Sequence, residues 1–214
     1  MKRYILYLMM CAMTMAAGCS YMDEYVSIVK RTAVSNSYYA VLNSWTREKA
    51  VYSQFETTIR IVATLKSGEF MDAYLAEYNT AYMIDAAHPS LKQDIMMERP
   101  TKGVQILLYA YMPDKQSNNL SSPRSLWQLG LITDSGETVT PEEVREIEEI
   151  TPLIEKLFPY VNKYYGKFYR ITFASPATLD KPAVEGGPAR MPVKLVCTGI
   201  LGRAELEWET RAPQ

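Results

Sequence analysis

Between Phe55 and Leu65 the chain changes face at every residue, and this alternation constrains the fold more than any other stretch. Phe55, Thr57, Ile59, Ile61, Ala63 and Leu65 share one face, and Glu56, Thr58, Arg60, Thr64 and Lys66 share the other. Side chains along a strand point to opposite sides with a period of two, so the run predicts a strand with one apolar face. Such a face needs sheet neighbours and a second layer to cover it, which excludes an all-helical chain. Gly103 to Met112 (GVQILLYAYM) carries little charge on either face and predicts a strand central in its sheet. Leu126 to Thr133 (LWQLGLIT) and Phe168 to Ser175 (FYRITFAS) read as further strands, with Asp134-Ser135-Gly136 turning the chain out of the first of them. Val193 to Gly199 and Arg203 to Glu209 make either a hairpin or one long bulged strand. Ala204, Leu206 and Trp208 there oppose Arg203, Glu205, Glu207 and Glu209.

The helical period shows elsewhere. Asp23 to Lys49 reads as helical, with Tyr25, Ile28 and Val29 on one stripe, Val41, Leu42 and Trp45 on another, and Ser35-Asn36-Ser37 between them. Ser67 can cap a helix whose stripe is Phe70, Tyr74, Leu75, Tyr78 and Tyr82, and a shorter helix is expected around Leu91 to Met97. Thr140-Pro141-Glu142-Glu143 has the pattern of a capping box with proline in the first turn. It predicts a helix that buries Val144, Ile147, Ile150, Ile154 and Leu157 and is kinked or restarted at Pro152. Pro113 to Ser125 and Pro176 to Pro192 read as loops.

Five to six strands, two helices between the first and second and one between the third and fourth, do not alternate regularly enough for a parallel doubly wound sheet. The expected class is α+β, mainly an antiparallel sheet or two-layered sandwich with helices on one side and a helical segment at the N-terminus. One globular domain is expected over 51–214, preceded by a tether over 19–50 and a leader over 1–18. With 48% hydrophobic and 22% charged residues, the chain can bury a substantial core.

The N-terminus carries an address. Lys2-Arg3 is a positive start, and Tyr4 to Met15 (YILYLMMCAMTM) is apolar but short for a permanent span. These residues fit a secretory leader or an uncleaved apolar anchor. The run that follows, Ala16-Ala17-Gly18-Cys19, resembles the lipobox of bacterial lipoproteins, with Ala16 standing where that family most often has leucine. The resemblance covers the first nineteen or twenty residues. It implies cleavage between Gly18 and Cys19, a diacylglycerol thioether on Cys19 and an acylated new N-terminus. Each buried methylene contributes about 0.8 kcal/mol, so two or three chains hold a protein stably on a membrane. Ser20 and Tyr21 follow the cysteine, with no aspartate directly after it, a pattern that in enteric-type bacteria implies the periplasmic leaflet of the outer membrane.

Loss of Lys2 and Arg3 with the leader leaves 21 basic residues against 24 acidic, a balance of −3. No clustered positive footprint suggests nucleic acid as a partner. Of the three cysteines, Cys11 lies in the leader, Cys19 at the cleavage site and Cys197 alone near the C-terminus, so the lipidated form has no intramolecular disulfide.

Candidate chemistry is sparse. Asp85 and His88 stand one helical turn apart, but His88 precedes Pro89, which pushes it out of helical geometry. Cys197 lies in Val193-Lys-Leu-Val-Cys, where a core thiol is expected. Gly186-Gly187 and Gly199 to Gly202 lack the lysine and hydroxyl residue of a phosphate loop and read as turns. Glu142 and Glu146 share a face of the expected helix and could pair for glycoside chemistry, although solvated helix surface near a positive dipole end explains them. No cofactor or metal site is indicated.

What folding alone explains least is the 16 tyrosines, among them Tyr38-Tyr39, Tyr164-Tyr165 and Tyr169, together with Trp45, Trp127 and Trp208. Tyrosine joins an apolar ring to a polar tip and suits sugar stacking or protein contact. Tyr109 and Tyr111 project from one face of their strand and, with Trp127, are the expected binding aromatics. The expected function is a non-enzymatic, membrane-anchored envelope accessory that binds another envelope protein. The alternatives are binding of a small glycan or lipid between the sheet and the Phe70 to Met83 helix, and a carboxylate-dependent hydrolase.

Overall fold

The computed structural model describes residues 34–53, 55–82, 103–132, 136–174 and 190–211. Helix α1 (Asn36–Trp45) leads into β1 (Thr46–Ser53) and β2 (Glu56–Leu65). Helix α2 (Gly68–Tyr82) follows, then β3 (Val104–Tyr111), β4 (Trp127–Ile132), β5 (Thr138–Val139) and β6 (Pro141–Glu146). Helix α3 (Pro152–Leu157) precedes β7 (Gly166–Phe173), β8 (Arg190–Gly199) and β9 (Gly202–Arg211). The strands form a five-stranded sheet in the order β1-β2-β3-β7-β6 and a four-stranded sheet in the order β5-β4-β8-β9. Every pairing is antiparallel. The chain is thus α+β with a two-sheet antiparallel sandwich, and the strands number nine rather than five to six.

The core lies where the two sheets face each other. Ile59, Ile61, Ile106, Leu108, Tyr169 and Ile171 meet Leu129, Leu131, Leu195, Cys197, Leu206 and Trp208 there. Ala204, Leu206 and Trp208 point inward as the alternation requires, and β8 and β9 form a hairpin in which Gly199 pairs with Gly202. Outside, Lys194 lies 2.6 Å from Glu207 and 3.2 Å from Glu205, and Arg203 lies 2.6 Å from Glu205, a cross-strand charge ladder facing water.

The outer face of the five-stranded sheet is covered by helices over one half of its length. Ser67 caps α2 by accepting from the Phe70 amide at 3.1 Å, and Phe70, Met71, Tyr74 and Tyr78 are buried. Phe158, just past α3, is the centre of this layer, with ring centroids 6.1 Å from Phe70, 6.0 Å from Tyr74 and 5.5 Å from Phe168. Tyr38 and Tyr39 of α1 donate to the carbonyls of Leu157 and Lys156, at 3.1 and 2.8 Å, and so tie the first helix to the last. This cover is why Val62 and Thr64, on the face of β2 opposite the sandwich core, are as buried as Ile61. The compact unit runs from Asn36 onward.

Two expected helices are strands in part. The helical reading through Lys49 fails at Thr46, where the chain pairs with β2 from Thr46↔Thr64 to Ser53↔Glu56. The ladder, together with Arg47 donating to the Glu207 carbonyl at 2.9 Å, outweighs the helical propensity of Arg-Glu-Lys-Ala. The expected helix from Thr140 is likewise corrected, because Pro141–Glu146 is an edge strand on β7. Proline is tolerated there because an edge position needs no amide, and the register slips by one residue between Pro141 and Glu143. The glutamates answer cations on β7 rather than a helix dipole, Glu143 reaching Arg170 at 3.2 Å and Glu146 reaching Lys167 at 2.8 Å. Helix begins only at Pro152, with Thr151 as its cap.

Candidate functional site

The uncovered half of that outer face is where the candidate site lies. Beyond Phe158 the chain runs through Pro159 to Tyr165 before entering β7, and this segment forms one wall of a groove of about 490 Å³. The floor comes from β1, β2 and β3 through Ala50, Thr57, Arg60, Tyr109 and Tyr111. Five of the ten lining residues are tyrosines, with Tyr52, Tyr160 and Tyr165 completing the set. The volume falls within the roughly 300–1,000 Å³ of small-ligand sites.

The tyrosines divide by what their hydroxyls do. Tyr109 is 3% exposed and donates to the Asn162 carbonyl at 3.0 Å, which pins the 159–165 segment to the sheet. Its ring passes so close to Gly166 that a β-carbon there would lie 2.5 Å from the Tyr109 Cζ and 2.5 Å from the Ala110 carbonyl oxygen. Tyr160 shares a hydrogen with Thr64 at 2.7 Å, and Thr64 in turn meets Thr46 at 2.7 Å. Burial raises the Tyr109 and Tyr160 phenols above their ordinary value, so both remain neutral at physiological pH. The hydroxyls of Tyr52, Tyr111 and Tyr165 make no hydrogen bond among the described residues; Tyr52 and Tyr165 are 68% and 63% exposed, and Tyr111 is partly buried.

The charge in the groove is balanced. Arg60 donates to Glu48 at 2.6 Å, an ion pair with both members about half exposed, and that bond holds the guanidinium pKa above its ordinary value. Asn162 accepts the Tyr164 amide at 3.0 Å through Oδ1, which orients its side chain and leaves its Nδ2 hydrogens without an acceptor among the described residues.

A second groove, of about 460 Å³, opens at the same end of the sandwich between the β1–β2 turn, the loop after β3 and the β8–β9 turn. Register places these features together, since Ser53 pairs with Glu56, Arg60 with Tyr111, and Tyr111 with Gly166. Among the described residues, the large apolar and aromatic side chains left exposed all gather at this end. They are Tyr52 and Phe55 around the first turn, Leu126 before β4, Tyr164 and Tyr165 before β7, and Ile200 and Leu201 in the last hairpin. Single exposed apolar residues are ordinary on a protein surface, but concentration at one end marks a contact surface.

The expected site residues meet different fates. Tyr109 and Tyr111 both line the first groove, Tyr109 as a buried strut and Tyr111 partly buried. Trp127 is 2% exposed, packs in the inter-sheet core and touches only the second groove. Cys197 is buried in the core, where burial pushes its thiol up to about 12. Glu142 and Glu146 share no helix face, and Glu146 is bound to Lys167. Gly18, Cys19, Asp85, His88, the expected helix at Leu91 to Met97 and the Gly186-Gly187 turn lie outside the described residues. Among the described residues no group of three or more histidine, cysteine, aspartate or glutamate side chains could hold a metal ion. Sequence reading missed Tyr52, Arg60, Tyr160, Asn162 and Tyr165 as partners in one groove, and the one local signal was the Tyr164-Tyr165 pair directly before a strand.

No protein-family model matches this chain, no curated protein matches its sequence, and no solved structure matches its fold.

Proposed function

We propose that the chain is a bacterial lipoprotein, cleaved before Cys19 and held on a membrane by lipid on that residue, whose sandwich domain binds another envelope component without catalysing a reaction. The periplasmic leaflet of the outer membrane is its expected place in a Gram-negative cell. The observation that carries the binding reading is the gathering of exposed tyrosine and aliphatic side chains around two grooves at one end of the sandwich. Tyrosine suits such a surface, because its rigid ring covers area at little entropic cost while its hydroxyl stays hydrated. The first groove pairs no nucleophile with a base. Its one charged lining residue, Arg60, is engaged by Glu48.

Two measurements test this reading. Intact mass of the protein extracted from membranes should show an acylated chain beginning at Cys19, and Cys19→Ala should abolish the added mass. A photo-reactive amino acid placed at Phe55 or Tyr165 in living cells should give discrete adducts, while the same group at Glu207, on the charge ladder, should not. An unmodified chain refutes the anchor, and equal labelling from both faces refutes the binding end.

A further inference from the structure

Resting on that binding reading, we infer that the tyrosine groove is a binding site for an uncharged glycan. The argument begins with charge. Arg60 is the charged residue among the groove's lining, and its Nε is already 2.6 Å from the Glu48 carboxylate. The pair carries no net charge, so an anionic ligand approaching the remaining guanidinium N–H groups would meet the Glu48 carboxylate beside them and a cationic ligand would meet the guanidinium itself, and the groove favours a ligand with no net charge.

The remaining lining selects among neutral ligands. A pyranose ring offers a patch of C–H groups on its faces and hydroxyls around its rim. Tyr52, Tyr111 and Tyr165 offer the complement, ring faces with hydroxyls that make no hydrogen bond within the described residues. The Asn162 amide hydrogens, oriented by the bond from the Tyr164 amide, supply donors for sugar oxygens, and Thr57 supplies a further hydroxyl. An acyl chain would leave these groups desolvated and unpaired, which disfavours lipid. The partly buried hydrogen bonds from Tyr109 to the Asn162 carbonyl and between Tyr160 and Thr64 hold the wall and floor in place before any ligand arrives, which lowers the ordering cost of binding.

The test uses the lipidated full chain in a detergent without a sugar headgroup, titrated calorimetrically with maltohexaose, cellohexaose and mannohexaose, and with an oligogalacturonate as the anionic comparison. At least one neutral hexaose should bind, with affinity changing less than about twofold between roughly 0.05 and 0.5 M salt. Tyr52→Ala, Tyr111→Ala and Tyr165→Ala should each weaken it about two- to tenfold, the loss expected for one aromatic contact. Tyr164→Ala, which removes an exposed ring outside the groove, should leave it within about twofold. No neutral binding up to about 5 mM, a preference for the anionic sugar, or equal loss from Tyr164→Ala overturns the inference. If photo-adducts still form from Phe55 in that case, the binding end stands and only the glycan assignment falls.

Discussion

Gly166→Ala tests whether the groove wall is built as described. Gly166 sits where β7 begins, opposite Tyr111, and a β-carbon there would lie 2.5 Å from the Ala110 carbonyl oxygen and 2.5 to 2.6 Å from the tip of the Tyr109 ring. The first obstacle is backbone within a sheet ladder, and the second is a buried ring fixed by its bond to Asn162, so neither yields cheaply. Overpacking of this kind costs about 1–3 kcal/mol, and displacing Tyr109 from the Asn162 carbonyl adds about 0.5–1.5 kcal/mol. The expected loss is therefore about 2–4 kcal/mol, or roughly 5–15 °C in Tm for a domain of this size. Gly68→Ala is the matched control, because no atom lies within 4 Å of its added β-carbon at the start of α2. That change should be neutral or stabilise by about 0.4–1 kcal/mol through the unfolded chain. Thermal denaturation of both variants followed by circular dichroism decides the matter. Equal melting temperatures would show that Tyr109 does not cross Gly166, and the groove wall would have to be redrawn.

Asn118 is 3% exposed, donates to the Ala110 carbonyl at 2.7 Å and lies 3.0 Å from the Tyr169 hydroxyl, so it ties the loop after β3 to both the strand before it and β7. Asn118→Ala removes the side-chain donor to the Ala110 carbonyl, while the Tyr169 hydroxyl keeps the Asn118 backbone carbonyl, so it should cost about 1–3 kcal/mol in chemical denaturation, and a loss under about 0.5 kcal/mol would remove that role. Cys197 predicts an alkaline limit on stability. The folded protein keeps its thiol protonated up to about 12, from an ordinary 9.0, while the unfolded chain releases the proton sooner. The unfolded state then binds fewer protons, so the contribution is complete below about 9 and is lost as pH rises toward 12, at up to ~1.4 kcal/mol per pH unit. Buried tyrosines act in the same direction, so the measurement is the difference between wild type and Cys197→Ala. That difference should narrow as pH rises from about 9, and a constant gap would refute the assignment.

Strands whose faces are decided by one neighbour were legible in the sequence. The alternation over Ile59 to Leu65 and over Ala204 to Trp208 identifies the inward residues without knowledge of the sheet order. The uncharged run from Val104 to Tyr111 gives away its central place because a strand covered on both sides has nowhere to put a charge. Elements decided by distant partners were not legible. Glu142, Glu143 and Glu146 fit a helix start by local rules, and only the cations Lys167 and Arg170 on β7, two dozen residues on, make them an edge strand. Trp127 shows the same limit, since a strand pattern names its two faces but not which of them meets the second sheet. The groove is harder still, because Tyr52, Arg60, Tyr111, Asn162 and Tyr165 come together only once β1, β2, β3 and β7 pair.

The abundance of tyrosine, ambiguous in the sequence, resolves into two populations with different physical roles. Tyr38, Tyr39, Tyr109 and Tyr169 each donate to a carbonyl or amide oxygen at least 50 positions away, and Tyr160 bonds to Thr64. These hydroxyls join elements that the sheet ladders do not join. At Tyr38 and Tyr169, whose bonds are buried, a phenylalanine would keep the ring's packing and leave a buried acceptor unpaired, and at the other three it would lose a link between elements, so folding is sufficient reason for a tyrosine at each. That reason does not extend to Tyr52, Tyr111, Tyr164 and Tyr165, whose hydroxyls bond to nothing among the described residues. Tyr52, Tyr164 and Tyr165 also leave most of their ring area in water, where an aromatic side chain contributes nothing to the core. All four stand at one end of the sandwich, and of these Tyr52, Tyr111 and Tyr165 line the groove whose floor and wall Tyr109 and Tyr160 fix, while Tyr164 lies outside it. Aromatic area that folding does not use, held in place by aromatic area that it does, is the arrangement a preformed binding surface requires.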